Sequence, residues 1–214
     1  MRFYNREDAG KQLAKKLVKY KNKNVLVLAV PRGGVPVGYY AAKALDAEFD
    51  LIVPRKLPIP WDPEAGFGAV TLDTVALNDN LVQRLGLTQE EIDKIAENIR
   101  AEVKRRTKVY RGDKPFPILK NKIVIIVDDG LASGYTVLAA IKSVKKHDGV
   151  KKIIVASPVT SMGAYDLLKK EADEVMCIKY SSEIIFAVAS FYENFEDLSD
   201  EEVKKYLNNT KQKQ

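Results

Sequence analysis

A chain of 214 residues can bury the core of one α/β domain, or of one domain carrying a subdomain. With 46% hydrophobic and 30% charged residues it has the composition of a soluble globular protein, and no apolar run approaches the ~18 residues of a membrane span. The net charge of +6 suits a nucleic acid or a highly anionic small molecule equally, because the basic residues are spread along the chain rather than massed in a tail.

The first ten residues, MRFYNREDAG, are charged from the start, so no secretory signal is expected and the protein is placed in the cytoplasm. Residues 5–20 read as a helix: Asn5 can cap it with Asp8 three positions on, and Leu13, Ala14, Leu17 and Val18 fall on one face. NVLVLAV (24–30) is a short continuous apolar run, as expected of a strand covered on both faces. PRGGVPVGYYAAKAL then turns into a helix, and FDLIVPRKLPIP gives a second strand at about 49–53, stopped by prolines. Further strands fall at 122–127, 152–157 and 174–179, with helical patterns between them. The alternation predicts an α/β fold, a parallel sheet of about five strands flanked by helices and joined by right-handed crossovers.

Roughly 60 residues separate the second and third strands, where a crossover needs only about a dozen. GFGAVTLDTVALN can make two short strands; it mimics part of a dinucleotide fingerprint but lacks the third glycine and the strand-to-helix setting. LTQEEIDKIAENIRAEV carries a full helix-start signature, with Thr88 as cap, Glu91 completing the box and Leu87 placed to staple onto Ile92. Residues 57–118 are therefore expected to form an inserted hood or flap on a single domain of residues 1–214. The cluster KRRTKVYRG (Lys104 to Arg111, continuing to Gly112) reads as an exposed helix end, with a ligand-facing hood or an RNA contact as alternatives. Trp61 reads either as a packing anchor or as a base-stacking ring. LSDEEVKKYL repeats the capping signature at Ser199 and Glu202, and NNTKQKQ is expected to fray.

One histidine and one cysteine remove whole classes of mechanism. His147 alone cannot build a Ser-His-Asp or Cys-His arrangement, and a zinc site would lack its usual nitrogens and sulfurs. It lies at a helix end, where it serves the last carbonyls. Cys177, in EVMCIKY, reads as a buried strand residue, excludes an internal disulfide and suits a reducing compartment.

Ligands of open parallel sheets bind beyond the carboxyl ends of the strands. Three such ends are chemically loaded here: AVPRGG, IVPRK and IVDDGLASGYT. In the last, Gly130, Ala132 and Gly134 let backbone amides approach an anion, Ser133 and Thr136 add hydroxyls, and a helix N-terminus follows. Asp128 and Asp129 cannot be partners of a phosphate, but they suit sugar hydroxyls and a hard divalent cation. A ribose 5-phosphate with Mg²⁺ alongside satisfies all of these groups.

The string IIVDDGLASGYT resembles the phosphoribosyl pyrophosphate (PRPP) motif of type I phosphoribosyltransferases. The resemblance implies that Asp128 and Asp129 hold the ribose 2′- and 3′-hydroxyls and Mg²⁺, directly or through water. It implies that Gly130, Leu131, Ala132, Ser133, Gly134, Tyr135 and Thr136 wrap the 5′-phosphate. PRGG resembles the family's pyrophosphate loop (Arg32, Gly33, Gly34), in which a non-proline cis peptide is frequent. PRK resembles the Arg-Lys pair of adenine and orotate members and would bring Arg55 and Lys56 to the pyrophosphate. RKLPIPWDPEAGFGAV, RRTKVYRGDKP and FYENFEDLSDEEV extend the likeness over nearly the whole chain, to a little-characterised bacterial and archaeal branch of the family.

The implied activity is Mg²⁺-dependent transfer of a 5-phosphoribosyl group from PRPP to a nitrogen acceptor, a nucleobase, by a homodimer with no membrane or nucleic-acid partner. Hypoxanthine-guanine members carry an acid within this motif as base to the purine; Ala132 stands at that position here, so no general base is assigned. The competing reading is a PRPP or nucleotide sensor that binds RNA or a protein partner through its basic surface.

Overall fold

The two strands that read as unbroken apolar runs lie side by side at the centre of the molecule. In the computed structural model, which describes residues 2–183 and 186–210, β1 (Val25–Ala29) and β6 (Ile123–Val127) are buried at every position. They pair in parallel from Val25 opposite Ile123 to Ala29 opposite Val127. β2 (Glu48–Leu51) flanks β1, while β7 (Lys152–Ser161) and β8 (Glu174–Ser181) continue beyond β6. The order β2-β1-β6-β7-β8 is parallel throughout. The chain leaves the centre in one direction after β1 and in the other after β6, so a switch point opens between their carboxyl ends.

Period-two alternation divides the sheet residues between two cores. Val25, Val27, Ile123, Ile125 and Val127 pack on α1 (Arg6–Leu17) and α2 (Gly34–Leu45). Leu26, Leu28, Val124 and Ile126 pack instead on α5 (Tyr135–Lys145), with α6 (Met162–Leu168) alongside. The Asn5 side chain accepts the Asp8 amide at 2.9 Å and starts α1 as its sequence predicts. Helix α1 ends at Leu17, and residues 18–20 tighten into a 3₁₀ turn. Cys177 is buried on β8, and the His147 ring stacks on Phe116 at 5.2 Å, just past the end of α5.

The segment between β2 and β6 folds as an antiparallel hairpin with a third short strand, followed by two helices: β3 (Arg55–Ile59), β4 (Asp62–Val70), β5 (Val75–Leu77), α3 (Asp79–Leu85) and α4 (Gln89–Arg111). The hairpin begins at Arg55 and α4 ends at Arg111, a narrower span than 57–118 at its end and an earlier one at its start. Ala69 and Ala76 face α5, whereas Leu57, Phe67 and Val70 face Ile92, Ala96 and Val103 of α4. Thr88 and Glu91 form the reciprocal capping box, and Leu87 packs in the same cluster as Ile92. At the far end, the nearly buried Arg111 guanidinium grips both oxygens of Asp50 at 2.7 and 2.9 Å, which ties α4 to β2. Trp61 stands exposed at the β3–β4 tip, away from any packing role.

After β8 the chain crosses over the strand ends through a 3₁₀ turn (Val188–Phe191) and closes with α7 (Asp200–Asn208), whose capping box uses Ser199 and Glu202. The last four residues of the tail expected to fray, 211–214, lie outside the described residues. Among the described residues, no helix is long and apolar enough to cross a membrane.

Candidate active site

Among the described residues, five of the seven α-helices start on a side-chain cap: Asn5, Asn78, Thr88, Ser161 and Ser199 each accept a first-turn amide. The two that do not, α2 and α5, begin on Gly33 and Gly134 and have no acid in their first turn. Both start at the switch point. A helix N-terminus left without an anionic or hydroxyl cap presents its amides and its partial positive charge to a ligand.

The loop before α5 is held in place from one side. Leu131 is buried and pairs with the carboxyl-terminal extension of β7, its amide donating to Val159 O at 2.9 Å and its carbonyl accepting from the Ser161 amide at 2.9 Å. The Ser161 hydroxyl donates to Ala132 O at 2.6 Å. This anchorage is why β7 runs on to Ser161, past the 157 expected from its apolar run. Ala132 and Ser133 stay exposed, and Gly134 takes φ +80°, a conformation open to glycine. Tyr135 and Thr136 form the first turn of α5, half-buried.

The loop before α2 presses directly on the two acids. A Cβ at Gly33 would fall 1.9 Å from Asp129 Oδ2, and one at Gly34 would fall 2.6 Å from Val127 O and 2.9 Å from Asp128 Cα. No side chain fits either position, which explains the Gly-Gly pair. The Val30 amide donates to Val127 O at 2.8 Å and locks the loop to β6. The Pro31–Arg32 peptide is cis.

Asp128 and Asp129 differ in environment. Asp128 is half-buried; burial, then the neighbouring charge of Asp129, push its pKa well up, although its Oδ1 accepts the Asp129 amide at 2.8 Å. Asp129 instead has a dedicated counter-ion. Arg6 Nε donates to Asp129 Oδ2 at 2.7 Å, both side chains being nearly buried. The same guanidinium lies 3.7 Å over the Phe195 ring and donates to Glu196 O at 2.7 Å. The Tyr192 hydroxyl donates to Asp129 O at 2.6 Å, and burial raises its pKa far above the usual range, so it stays a neutral donor. Val188 fills the space a Gly130 side chain would need, with Cγ1 2.4 Å from that Cβ position. Arg6 and Val188 carry no motif in the sequence, and Tyr192 and Phe195 lie within the FYENFEDLSDEEV string without a role read from it; all four reach the acids because distant parts of the chain fold over the switch point.

The two carboxylates fit Mg²⁺ chemically, since this ion keeps several waters and typically shares one or two carboxylates with substrate phosphates. They do not make a cage by themselves: no group of three or more His, Cys, Asp or Glu side chains that could hold a metal occurs among the described residues.

The remaining cations diverge. Arg32 is partly exposed, with Nη1 4.0 Å from Asp200 Oδ1. Arg55 and Lys56, being consecutive on β3, point to opposite faces of the hairpin. Arg55 pairs across from Val70 on the α4 side, and its buried Nε has no hydrogen-bond partner among the described residues. Lys56 pairs across from Ala69 on the α5 side, and its Nζ donates to Glu64 O. In the basic cluster, Arg105 and Arg106 both bond Glu102 at 2.6–2.9 Å, and Arg111 is committed to Asp50.

A family model for the phosphoribosyl transferase domain matches residues 69–196. A Mycobacterium tuberculosis protein named "Putative phosphoribosyl transferase" is 39% identical over 209 residues, 96% of this chain and 46% of that protein; the chain spans about half the length of the curated relatives it matches. TT1426 from Thermus thermophilus is 33% identical with a TM-score of 0.79, covering 97% of this chain and 98% of its own. The purine phosphoribosyltransferase from Pyrococcus horikoshii is 19% identical with a TM-score of 0.51 over 91% of each chain, a likeness of fold.

Proposed function

Because the chain belongs to the phosphoribosyltransferase family, we propose that it transfers a 5-phosphoribosyl group from PRPP to a nitrogen acceptor, a nucleobase, and releases pyrophosphate. The observation that carries this reading is the convergence, at one switch point, of the acids Asp128 and Asp129 with the two helix starts that lack side-chain caps.

In this assignment the amides of Gly130 to Thr136, with the Ser133 and Thr136 hydroxyls, take the 5′-phosphate at the start of α5. Asp128 and Asp129 accept hydrogen bonds from the ribose diol. Arg32, Gly33 and Gly34 take the pyrophosphate at the start of α2, with Arg55 and Lys56 approaching from the hairpin. Mg²⁺, held by Asp128 and Asp129 or by waters between, would offset charge on the pyrophosphate.

The bond from the anomeric carbon to pyrophosphate breaks as the bond to the acceptor nitrogen forms, and positive charge develops on the ribose, as in other glycosyl transfers. In this assignment the Asp128 and Asp129 carboxylates would face the developing positive charge, and the guanidinium groups of Arg32 and Arg55 the departing pyrophosphate. The segment from Val188 to Phe195 packs against Gly130 and Asp129, and in this assignment it would wall the acceptor side and exclude water. The insertion spanning β3 to α4 serves as the hood over the pyrophosphate side. A homodimer working in the cytoplasm completes the proposal, on family grounds.

The sensor reading has less support, because in the 104–111 cluster Arg105 is held bidentately by Glu102 and Arg111 by Asp50. The test is release of pyrophosphate from Mg-PRPP against adenine, guanine, hypoxanthine, xanthine, uracil and orotate, with PRPP binding followed by calorimetry. Base-dependent release supports the transferase and identifies its acceptor. Tight PRPP binding with no release on any base points to the sensor, and no PRPP binding removes the site assignment.

A further inference from the structure

Three residues of the inserted helix α4, Glu102, Arg106 and Tyr110, recur every four positions and share one face. That face looks toward the proposed pyrophosphate loop. The Tyr110 hydroxyl donates to Asp200 Oδ1 at 2.7 Å, and the same oxygen lies 4.0 Å from Arg32 Nη1. Arg106 Nε donates to Glu102 Oε1 at 2.6 Å, and its side chain is mostly buried. Arg55 enters from β3 on the α4 side, with its Nε shut off from solvent and unpartnered among the described residues. Burial, and then the positive charges of Arg106 and Arg32, lower the Arg55 pKa. Three guanidinium groups thus share one region with two carboxylates, Glu102 and Asp200.

The arrangement is unbalanced as it stands. Arg105 holds both oxygens of Glu102, so Arg106 shares Oε1 with it, and Asp200 reaches Arg32 only at 4.0 Å while accepting from Tyr110. No carboxylate bonds Arg55 Nε among the described residues. Guanidinium groups gathered in partly buried surroundings are stable only when an anion satisfies their donors, and the planar fork suits phosphate oxygens in pairs.

We propose that Arg106 joins Arg32 and Arg55 in an anion cradle that takes the pyrophosphate group of the substrate, and that the Asp200 carboxylate competes with that group for the cradle. The inference rests on the strand-end site being a PRPP site, because Arg32 belongs to the loop that touches Asp129. It gives the insertion a direct binding role and makes the first residue of α7 a tethered competitor of the leaving group.

The test uses the full chain, calorimetric titration at fixed ionic strength, and two probes, inorganic pyrophosphate and ribose 5-phosphate. Arg106→Ala is expected to weaken pyrophosphate binding by about tenfold or more, the loss of a charged hydrogen-bonding fork, while ribose 5-phosphate binding stays within about twofold of wild type. Arg106→Lys should restore only part of the loss, having charge but no fork. Asp200→Asn should tighten pyrophosphate binding severalfold, as a competing charge is removed. Glu102→Gln breaks the same helical ion pair as Arg106→Ala but keeps the guanidinium, so it separates binding from helix stability. Equal melting losses in Arg106→Ala and Glu102→Gln with unchanged pyrophosphate affinity would overturn the cradle. Wild type that binds ribose 5-phosphate but not pyrophosphate would overturn it and leave the phosphate-loop assignment standing. Wild type that binds neither would remove both.

Discussion

Replacing Gly33 by alanine tests the geometry of the site with one carbon atom. The backbone there, φ −60° and ψ −37°, is one that alanine adopts readily, so any effect comes from space rather than conformation. The added Cβ would lie 1.9 Å from Asp129 Oδ2, whereas ordinary contact begins at 3.4 Å, so the carboxylate or the loop has to move by about 1.5 Å. Movement of Asp129 stretches its 2.7 Å bond to Arg6; movement of the loop displaces Arg32. Misplacing a binding group by about 1 Å costs on the order of 100-fold, so ribose 5-phosphate should bind about 100-fold more weakly, near 2.7 kcal/mol. Overpacking costs about 1–3 kcal/mol, and the entropy advantage of alanine returns about 0.4–1, leaving a net loss of roughly 1–2 kcal/mol. For a chain of this size that lowers Tm by about 2–8 °C. Gly163→Ala is the control, because its Cβ would meet nothing nearer than Ser161 Oγ at 4.0 Å. It should leave binding unchanged. Calorimetry with ribose 5-phosphate and a thermal melt read both quantities; wild-type affinity in Gly33→Ala would show that the two acids do not hold the sugar.

The double variant Asp128→Asn with Asp129→Asn should abolish Mg-PRPP binding while circular dichroism shows an intact fold; unchanged affinity would sink the site assignment. Tyr192→Phe leaves the buried Asp129 carbonyl without its donor, a loss of about 1–3 kcal/mol and of roughly 2–12 °C in Tm. Arg111→Ala strands Asp50 and should cost about 3 kcal/mol in a denaturant melt, far more than an exposed charge would. Burial opposes ionisation of Glu174, but hydrogen bonds from Lys19, Tyr20 and Lys152 prevail and hold its pKa at about 2, against 4.5 for the free group. A depressed carboxylate pKa stabilises the fold above about pH 4.5, and the contribution fades as pH falls toward 2. Glu174→Gln should therefore cost about 1–2 kcal/mol at neutral pH, screening considered, and the gap to wild type should close on acidification. A gap independent of pH would refute the assignment.

What the sequence discloses here follows the range of the forces involved. Val25–Ala29 and Ile123–Val127 are legible as central strands because burial on both faces removes polar residues from the run. Thr88 with Glu91, and Ser199 with Glu202, are legible because a capping box closes within four residues. The acids and the small-residue loop are legible for the same reason, their chemistry being contiguous in the chain. Direction is harder to read. Arg55 and Lys56 look like one dipeptide, but once the hairpin starts at Arg55 the period of a strand sends them to opposite faces. The extent of β7 is hidden too, since residues past Ser157 extend to meet Leu131 from another part of the chain. Arg6 reads as a first-turn charge of α1, and nothing near it in sequence announces a bond to Asp129.

That bond bears on how the turn proposed to bind phosphate tolerates two adjacent acids. Asp129 is neutralised by Arg6, and Phe195 and Glu196 hold Arg6 in place from the other end of the chain. Asp128 accepts the Asp129 amide but has no basic side chain bonded to it among the described residues, and burial beside Asp129 disfavours its charge. One acid is therefore settled by the protein itself, and the other is left with an electrostatic deficit that a cation or a hydroxyl donor would relieve. On the far side of Gly33 and Gly34 the imbalance has the opposite sign, with guanidinium groups short of anions. A ligand that is positive or hydroxyl-bearing at its middle and strongly anionic at both ends reduces every one of these deficits at once, and neither a simple phosphate nor a free sugar does so.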